Sequence, residues 1–296
     1  MILKEYINVK DDRLIDGLTP VVRMMNQIES SSEQEVTIDF SDTRFISPVF
    51  ALSLIVYLSR SGKQIAFTNA PEYIERIGLS SSGIKPDMMR QTEFLAELEK
   101  YASKTYIPII DFAAGRNSDA KEAVSSIVEN MIIQQLNISP NVANGFKYMI
   151  DETLDNITEH SESDRGYIFA QAYPTKGFLD VCIADRGVSL QGSYKKLPGN
   201  EIASDMEAIK AANRGISSKN LPDAENRGFG IRTSKQMVIQ GLGGQYLMIS
   251  GSSLYIKTRN LDTFYSMPHA LRWNGTIVAL RIPYHSTTFN YINYIE

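Results

Sequence analysis

A continuously apolar, uncharged stretch, FISPVFALSLIVYLS at residues 45–59, restricts the fold more than any other feature. It contains a proline and is shorter than the roughly 20 apolar residues that span a bilayer, so we predict a buried helix. Ser47 followed by Pro48 is typical of an N-cap and a first helical residue, and the helix should begin there. Runs rich in β-branched residues at 36–40 and 64–69 flank it and predict two strands.

The remaining patterns of the first 80 residues complete a small α/β unit. Apolar residues at helical spacing predict a helix over 12–30, with a kink or a late start at Pro20. Tyr6–Val9 is a candidate strand. Residues 78–106 hold a Ser-Ser-Ser-Gly loop and a charged helical stretch, and we interpret residues 81–106 as a connector.

Residues 107–296 predict a second, larger α/β unit. Strands and helices alternate in it, apart from a long polar segment with several glycines at 186–228. The predicted strands lie at 107–112, 166–173, 178–185, 243–250, 253–258 and 275–282, and the predicted helices at 118–136, at 140–160 and after Gly230. The chain of 296 residues is also long enough for two domains.

Composition and charge exclude several classes of function. The formal net charge of −4 argues against a nucleic-acid-binding protein, which usually carries a basic surplus. The single Cys182 excludes an intrachain disulfide and a site with several cysteine ligands, and three histidines are few for a histidine-rich metal centre. The N-terminus has no apolar signal region, so we expect a cytoplasmic protein without a membrane segment.

The predicted helix 140–160 carries polar residues in line. Glu152, Asn156 and His160 are spaced by four, so they stack on one face, while apolar residues cluster on another. A carboxylate, an amide and an imidazole in line could surround a polar cavity. The spacing alone favours an ordinary solvated face.

Three further motifs are weak individually. Asp185 ends an apolar strand and needs a polar partner, and Gly187 would let backbone approach a flat ligand closely, although a strand-ending turn explains the same residues. Gly228 and Gly230 precede a helix, where bare N–H groups could meet phosphate, or where a flexible loop could join the helix. Thr276 begins a strand, and β-propensity accounts for it equally well.

The order of these motifs resembles the GHKL ATPase family, which groups gyrase, heat-shock chaperone, histidine-kinase and mismatch-repair ATPases. Glu152 with Asn156, Asp185 with Gly187, the Gly-x-Gly pair, and the Gly-Thr pair of a late strand follow one another as in that family. The resemblance covers residues 107–296 and implies an α/β sandwich that binds ATP and Mg²⁺.

The resemblance implies a role for each motif residue. Asn156 would hold Mg²⁺ through its amide oxygen, and Glu152 would be the general base. Asp185 would accept a hydrogen bond from the adenine amino group, with Thr276 nearby, and Gly187 would lie against the base.

The resemblance also implies how the phosphates are held. Gly228 and Gly230 would wrap the triphosphate, and residues 188–227 would form a mobile lid, from which Lys219 or Arg227 could reach phosphate. Ser189 stands where the family usually has a second glycine, so we expect the hinge of this lid to differ from that of the family.

The first 80 residues resemble a STAS domain, the fold of anti-sigma-factor antagonists. The segment VTIDFSDTRFISPVFALSLIVYL carries the resemblance as a strand, a short loop and a helix. The phosphorylatable serine of antagonist relatives has no counterpart here unless Ser47 serves, and we interpret Ser47 as the helix cap.

These observations predict an ATP- and Mg²⁺-binding regulatory protein with serine-kinase or slow ATPase activity. Its expected partner is a regulatory protein, and the resemblance allows a homodimer. The alternative is a non-catalytic interaction protein that binds nucleotide only as a ligand or not at all. Ser189 permits it, and so does Glu159, a carboxylate at a position where kinase relatives often carry a basic residue. A self-phosphorylating histidine kinase is disfavoured because no histidine precedes His160.

Overall fold

The computed structural model describes a mixed α/β chain with two β-sheets, one of three strands and one of seven. The sequence therefore predicted the α/β class correctly. The described residues are 1–4, 13–81, 83–114, 120–136, 138–160, 162–199, 201–216, 230–285 and 288–295.

The smaller sheet is parallel and belongs to the N-terminal part of the chain. Its strands lie in the order β1 (Ile2–Lys4), β2 (Glu35–Asp39) and β3 (Gln64–Thr68), and the accompanying helices are α1 (Leu18–Ser30), α2 (Pro48–Leu58) and α3 (Glu72–Arg76). The strand predictions for 36–40 and 64–69 are confirmed. The predicted strand Tyr6–Val9 lies outside the described residues, and β1 was not predicted.

Helix α1 begins later than the apolar pattern predicts. A 3-10 turn, Leu14–Gly17, precedes it. Pro20 is then in the first turn of α1, where its missing N–H costs no helical hydrogen bond. The late start explains how a proline lies within an apolar helical pattern.

Ser47 caps helix α2, as predicted. Its side-chain oxygen accepts a hydrogen bond from the Phe50 N–H at 3.3 Å, and Pro48 is the first helical residue. Ser47 is buried, and a Cβ added at Gly17 would overlap its hydroxyl oxygen. The hydroxyl is therefore enclosed by the turn that precedes α1.

Helix α2 is buried on every side, as its uniformly apolar sequence requires. All of its residues from Pro48 to Tyr57 are buried, and it packs against β5, β6 and β10 of the larger sheet and against α1. The indole N–H of Trp273 donates to the Ser53 carbonyl at 2.9 Å. One hydrophobic cluster thus runs from the N-terminal part into the larger sheet.

The larger sheet is antiparallel and follows the order β4-β5-β6-β10-β7-β8-β9. Its strands are β4 (Tyr106–Ala113), β5 (Arg165–Tyr173), β6 (Phe178–Asp185), β7 (Gln245–Gly251), β8 (Ser253–Lys257), β9 (Asp262–Ser266) and β10 (Trp273–Pro283). Each of the six predicted strands is present. Strand β9 was missed.

Helices pack on the face of this sheet opposite to α2. They are α4 (Gln91–Glu99), α5 (Ala120–Leu136), α6 (Pro140–His160), α7 (Leu190–Tyr194), α8 (Asp205–Asn213) and α9 (Gly230–Gln236), the last continued by a π-helical turn, Met237–Gly241. A second hydrophobic cluster lies between these helices and the sheet. The division into residues 1–80, 81–106 and 107–296 stays a prediction.

None of the helices described is long and apolar enough to cross a membrane. The longest apolar helix, α2, is instead enclosed by protein, which agrees with the burial predicted for residues 45–59.

Candidate functional site

The structure brings Asp185, Gly187 and Thr276 into contact at the end of β6. Asp185 is 1% exposed, and its Oδ1 accepts a hydrogen bond from the Gly187 N–H at 2.8 Å. Its Oδ2 accepts one from the Thr276 N–H at 3.0 Å, although the two residues are 91 positions apart. Two of the four predicted motifs therefore form one cluster around a buried carboxylate.

Gly275 makes this cluster sterically feasible. Its φ is +85°, in the left-handed region that glycine adopts at no steric cost, and the register of β10 against β7 shifts between Trp273 and Thr276. A Cβ at Gly275 would overlap both the carbonyl oxygen and Oδ1 of Asp185. The glycine thus allows β10 to place the Thr276 N–H against the carboxylate.

Ser250 links the Asp185 cluster to the beginning of the predicted lid. Its hydroxyl lies 3.1 Å from Thr276 Oγ1 and donates to the Gly275 carbonyl at 3.3 Å. The same oxygen accepts from the Leu190 N–H, at the first residue of α7, at 2.8 Å. Sequence reasoning missed Ser250 because a serine within a strand is an ordinary residue.

Burial raises the pKa of the Asp185 carboxyl to about 7, and the N–H groups of Gly187 and Thr276 act against this rise. Because the folded pKa lies above the ordinary 3.8, the protonated carboxyl stabilises the fold fully below pH 3.8. That contribution is lost as the pH rises through about 7.

We therefore expect Asp185 to make stability depend on pH between 3.8 and about 7. Urea unfolding across this range should show the wild type losing stability, as the pH rises, relative to Asp185→Asn, which cannot titrate. Parallel pH profiles for the two proteins would contradict the raised pKa.

The other two motifs meet between helices α6 and α9. Gly230, the first residue of α9, is buried, and a Cβ there would overlap the Glu152 carboxylate. Tyr148 hydrogen-bonds both Glu152 and Thr233, and burial and the Glu152 charge raise its pKa to about 12. Glu152 is therefore packed directly against the beginning of α9.

Asn156 lies one helical turn beyond Glu152. Its Nδ2 donates to the Glu152 carbonyl at 2.6 Å, so its amide oxygen is the atom left to face a ligand. Carboxylate and amide oxygens are hard ligands that suit Mg²⁺, which usually keeps several waters besides. The Asn156 amide oxygen is thus a donor of the type that suits a magnesium ion. The described residues contain no group of three or more His, Cys, Asp or Glu that could hold a metal.

The end of helix α6 lies beside the end of β6. Ser163, three residues beyond α6, accepts a hydrogen bond from the Arg186 N–H at 3.3 Å, and Arg186 pairs with Asp164 at 2.6 Å. Arg186 directly follows Asp185, and Asn156 precedes the end of α6 by about 6 Å of helical rise. The part of helix α6 that carries Glu152 and Asn156 therefore lies toward the same end of the sheet as the Asp185 cluster.

The predicted lid contains two helices, α7 and α8, that pack together and on β7 and β8. Ser189 caps α7 by accepting from the Gly192 N–H, and it donates to Asp205 Oδ1 at 3.2 Å. Asp205 Oδ2 accepts from the N–H and hydroxyl of Ser252. Ser189 therefore anchors the first part of this segment to the sheet.

Several predicted residues lie outside the described part of the chain. They are Gly228, Lys219 and Arg227, and the side chain of His160 is likewise outside it. Sequence reasoning also missed Tyr148 and Thr233, for which the only available signal was their spacing from Glu152 and Gly230 on the two helices.

Comparison with known proteins adds no family assignment. No protein-family model, curated protein or solved structure matches the chain.

Proposed function

We propose that this chain is a regulatory protein that binds ATP with Mg²⁺, built from a STAS-like domain and a GHKL-type ATPase domain. The observation that carries the proposal is the buried Asp185 carboxylate held by the N–H groups of Gly187 and Thr276. Residues chosen from the order of four motifs meet in two clusters toward the same end of one sheet. Unrelated surface residues have no reason to do so.

Asp185 would recognise the adenine ring. Each of its oxygens accepts one backbone hydrogen bond and keeps a second lone pair. This lone pair can accept a hydrogen bond from the amino group of adenine. Gly187 has no side chain to keep the base away from the backbone. A buried carboxylate in a fixed position selects a ligand that offers a donor there.

Helix α6 would serve the phosphate end of the nucleotide. Asn156 would hold Mg²⁺ by its amide oxygen, and the ion, when bound, would offset the charge of the phosphates. Gly230 would bring the backbone of α9 close to this point, as its fit against Glu152 indicates.

Glu152 would also accept the proton of an attacking hydroxyl. A protein serine hydroxyl as the attacking group gives serine-kinase activity, and water gives slow ATPase activity. Ser47 is a poor acceptor in this scheme because it is buried and caps α2.

One observation favours the non-catalytic alternative. Glu152 is hydrogen-bonded to Tyr148 and lies against Gly230, so its carboxylate is already engaged. Incubation with γ-labelled ATP separates the candidates: label on protein indicates a kinase, free phosphate an ATPase, and neither a passive nucleotide-binding protein.

The N-terminal part would bind the partner and report the state of the nucleotide. Helix α2 packs directly on β6 and β10, the strands that carry Asp185 and Thr276. A change at the nucleotide site would therefore reach the N-terminal part through packed side chains. A regulatory protein, or a second copy in a homodimer, would respond to it.

Asn156→Ala tests the proposal directly. Calorimetry with a non-hydrolysable ATP analogue should give the wild type a higher affinity with Mg²⁺ than without it. The variant should lose this gain, about tenfold or more. Asn144→Ala, at an exposed position of the same helix, should behave as the wild type. If Mg²⁺ raised the affinity of Asn156→Ala as much as that of Asn144→Ala, the assignment of Asn156 as the magnesium ligand would be refuted.

A further inference from the structure

We propose that the outer edge of strand β9 is a docking surface for an acidic, extended peptide segment of a partner protein, which joins the larger sheet as an additional strand. This surface lies at the opposite edge of the sheet from β4, and the inference does not depend on nucleotide binding. Four properties of the edge, all taken from the residues that the structure describes, support it: its outward-facing backbone groups, its lack of proline and lysine, the neighbouring cleft and the local charge.

Strand β9 has hydrogen-bonding groups that point away from the sheet. Among the described residues it pairs with β8 alone. Beyond its ends, the Thr258 N–H donates to the Leu261 carbonyl at 2.8 Å, and the Met267 N–H donates to the Ser252 carbonyl at 2.7 Å. Antiparallel pairs alternate between bonded and non-bonded positions, so the N–H and C=O groups of the even-numbered residues face outward. These residues are Asp262, Phe264 and Ser266.

The opposite edge of the same sheet shows how an edge is covered. On β4, the Ile109 carbonyl accepts from the Ile84 N–H, and the Asp111 N–H donates to the Ile84 carbonyl, both at 2.8 Å. The Ile109 N–H donates to the Ile77 carbonyl, and Pro108 has no N–H to offer. The backbone of β4 is thus occupied by the chain itself.

Strand β9 lacks two of the features that commonly prevent edge-to-edge pairing. Its sequence, DTFYS, contains no proline and no lysine. Its one charged residue, Asp262, pairs with Lys257 of β8 at 2.6 Å. An edge strand without proline or lysine leaves a backbone on which another chain can pair.

A cleft lies beside this edge, between the N-terminal part and the sheet. Its volume is 610 Å³, and its apolar lining comes from Ile15, Ile256, Leu261 and Tyr265. Leu261 and Tyr265 are 39% and 45% exposed, an unusual exposure for large apolar side chains next to a core. Alternate side chains of an added strand would extend over this cleft, which would favour apolar or β-branched residues there.

The charge around β9 favours an acidic occupant. Arg259 lines the cleft, is exposed, and has no ion-pair partner among the residues described. The Lys210 ammonium lies 5.3 Å from the Phe264 ring centre, on the other face of the strand. The carboxylates nearby, Asp16 and Asp262, are each already paired with a basic side chain.

The same charge disfavours a second copy of this chain. An antiparallel pairing of two β9 strands by two-fold symmetry would centre on Phe264, the middle residue of the strand. The two Lys210 ammonium groups would then approach each other, and like charges at an interface are unfavourable.

Selection from a phage-displayed library of random linear peptides tests the proposal with the intact protein. We expect enriched peptides with acidic residues and alternating β-branched or apolar positions. In NMR hydrogen exchange, the selected peptide should slow the outward amides of Asp262, Phe264 and Ser266, whereas the amides of Thr263 and Tyr265 are already protected by β8.

Two variants of one residue supply the matched control. Ser266→Pro removes an outward N–H and leaves the bonds between β8 and β9 intact, so it should weaken the selected peptide about tenfold or more. Ser266→Ala removes the same hydroxyl contact with Ser253 but keeps the N–H, so it should bind as the wild type.

Arg259→Glu tests the contribution of charge. It should also weaken binding of the selected peptide, and added salt should reduce the difference in affinity between this variant and the wild type.

Three results would overturn the proposal. They are a selection that enriches no peptide, an enriched peptide that binds Ser266→Pro as tightly as Ser266→Ala, and protection that appears elsewhere than on β9. A dimer in light scattering that Ser266→Pro dissociates would assign the edge to a second copy instead.

Discussion

Asp185→Asn is expected to weaken ATP binding roughly 10- to 150-fold, because a hydrogen bond to a charged group contributes about 1.5–3 kcal/mol. Both oxygens of Asp185 accept backbone hydrogen bonds, from Gly187 and Thr276. The amide supplies only one acceptor oxygen, so its NH₂ group would face one of these donors. The remaining geometry would no longer offer the adenine amino group an acceptor. Calorimetry with a non-hydrolysable ATP analogue measures the loss.

Asp164→Asn is the matched control for this experiment. It makes the same change of carboxylate to amide on an adjoining loop, where the Asp164 side chain is 72% exposed and pairs with Arg186. Its affinity for the analogue should equal that of the wild type.

If Asp185 recognises adenine, GTP should bind the wild type more weakly than ATP does. A folded Asp185→Asn protein with undiminished ATP affinity would rule out the adenine assignment.

Asp180→Ala is expected to lower the free energy of unfolding by about 3–5 kcal/mol, because it leaves a buried guanidinium without its carboxylate. Asp180 and Arg281 are 1% and 5% exposed and lie opposite each other on β6 and β10. Arg281 Nε and Nη2 donate to the two Asp180 oxygens at 2.7 and 2.8 Å. The guanidinium also lies 4.0 Å from the Phe178 ring centre. Chemical denaturation with circular dichroism measures the change.

The contrast between buried and exposed pairs makes this prediction specific. Glu72→Ala breaks the ion pair with Arg76 on the surface of α3, and it should cost no more than about 0.5 kcal/mol. Replacing the buried pair together, as Asp180→Leu with Arg281→Met, should recover much of the stability lost by Asp180→Ala, since no charge is left unpaired. An Asp180→Ala protein as stable as Glu72→Ala would contradict the role of the pair.

Local sequence patterns predicted most of the secondary structure of this chain. Alternating and apolar runs gave six strands of the larger sheet, and the Ser47-Pro48 pair gave the beginning of α2. The failures were also local in origin. Strand β9 has only five residues, of which Phe264 and Tyr265 are the large apolar ones, and a single pair does not establish a period.

The polar segment 186–228 shows a second reason why local sequence patterns miss helices. Its composition is typical of a loop, yet it contains α7 and α8. Helix α8 is held by Asp205 contacts with Ser189 and Ser252, which are distant in sequence. The buried apolar residues of α8 are Ile209 and three alanines, which form too small an apolar face for the sequence pattern to indicate a helix.

The candidate site was partly predictable for a related reason. Glu152, Asn156, Asp185, Gly230 and Thr276 could be selected because side-chain type and spacing mark them in the sequence. Gly228 stays a prediction. The groups that complete the Asp185 cluster are backbone N–H groups, which every strand has, and the hydroxyl of Ser250, an ordinary strand residue.

The sequence by itself determined the local elements of this protein, since helix caps and hydrophobic periods act within a few residues and are written in residue type. Only the tertiary structure decided that α2 lies enclosed against the larger sheet and that, within the described part of the chain, β9 pairs with β8 alone. It also decided that Thr276 donates to Asp185 across 91 positions of the chain. These features depend on long-range packing and on backbone groups, and neither has a signature in residue type.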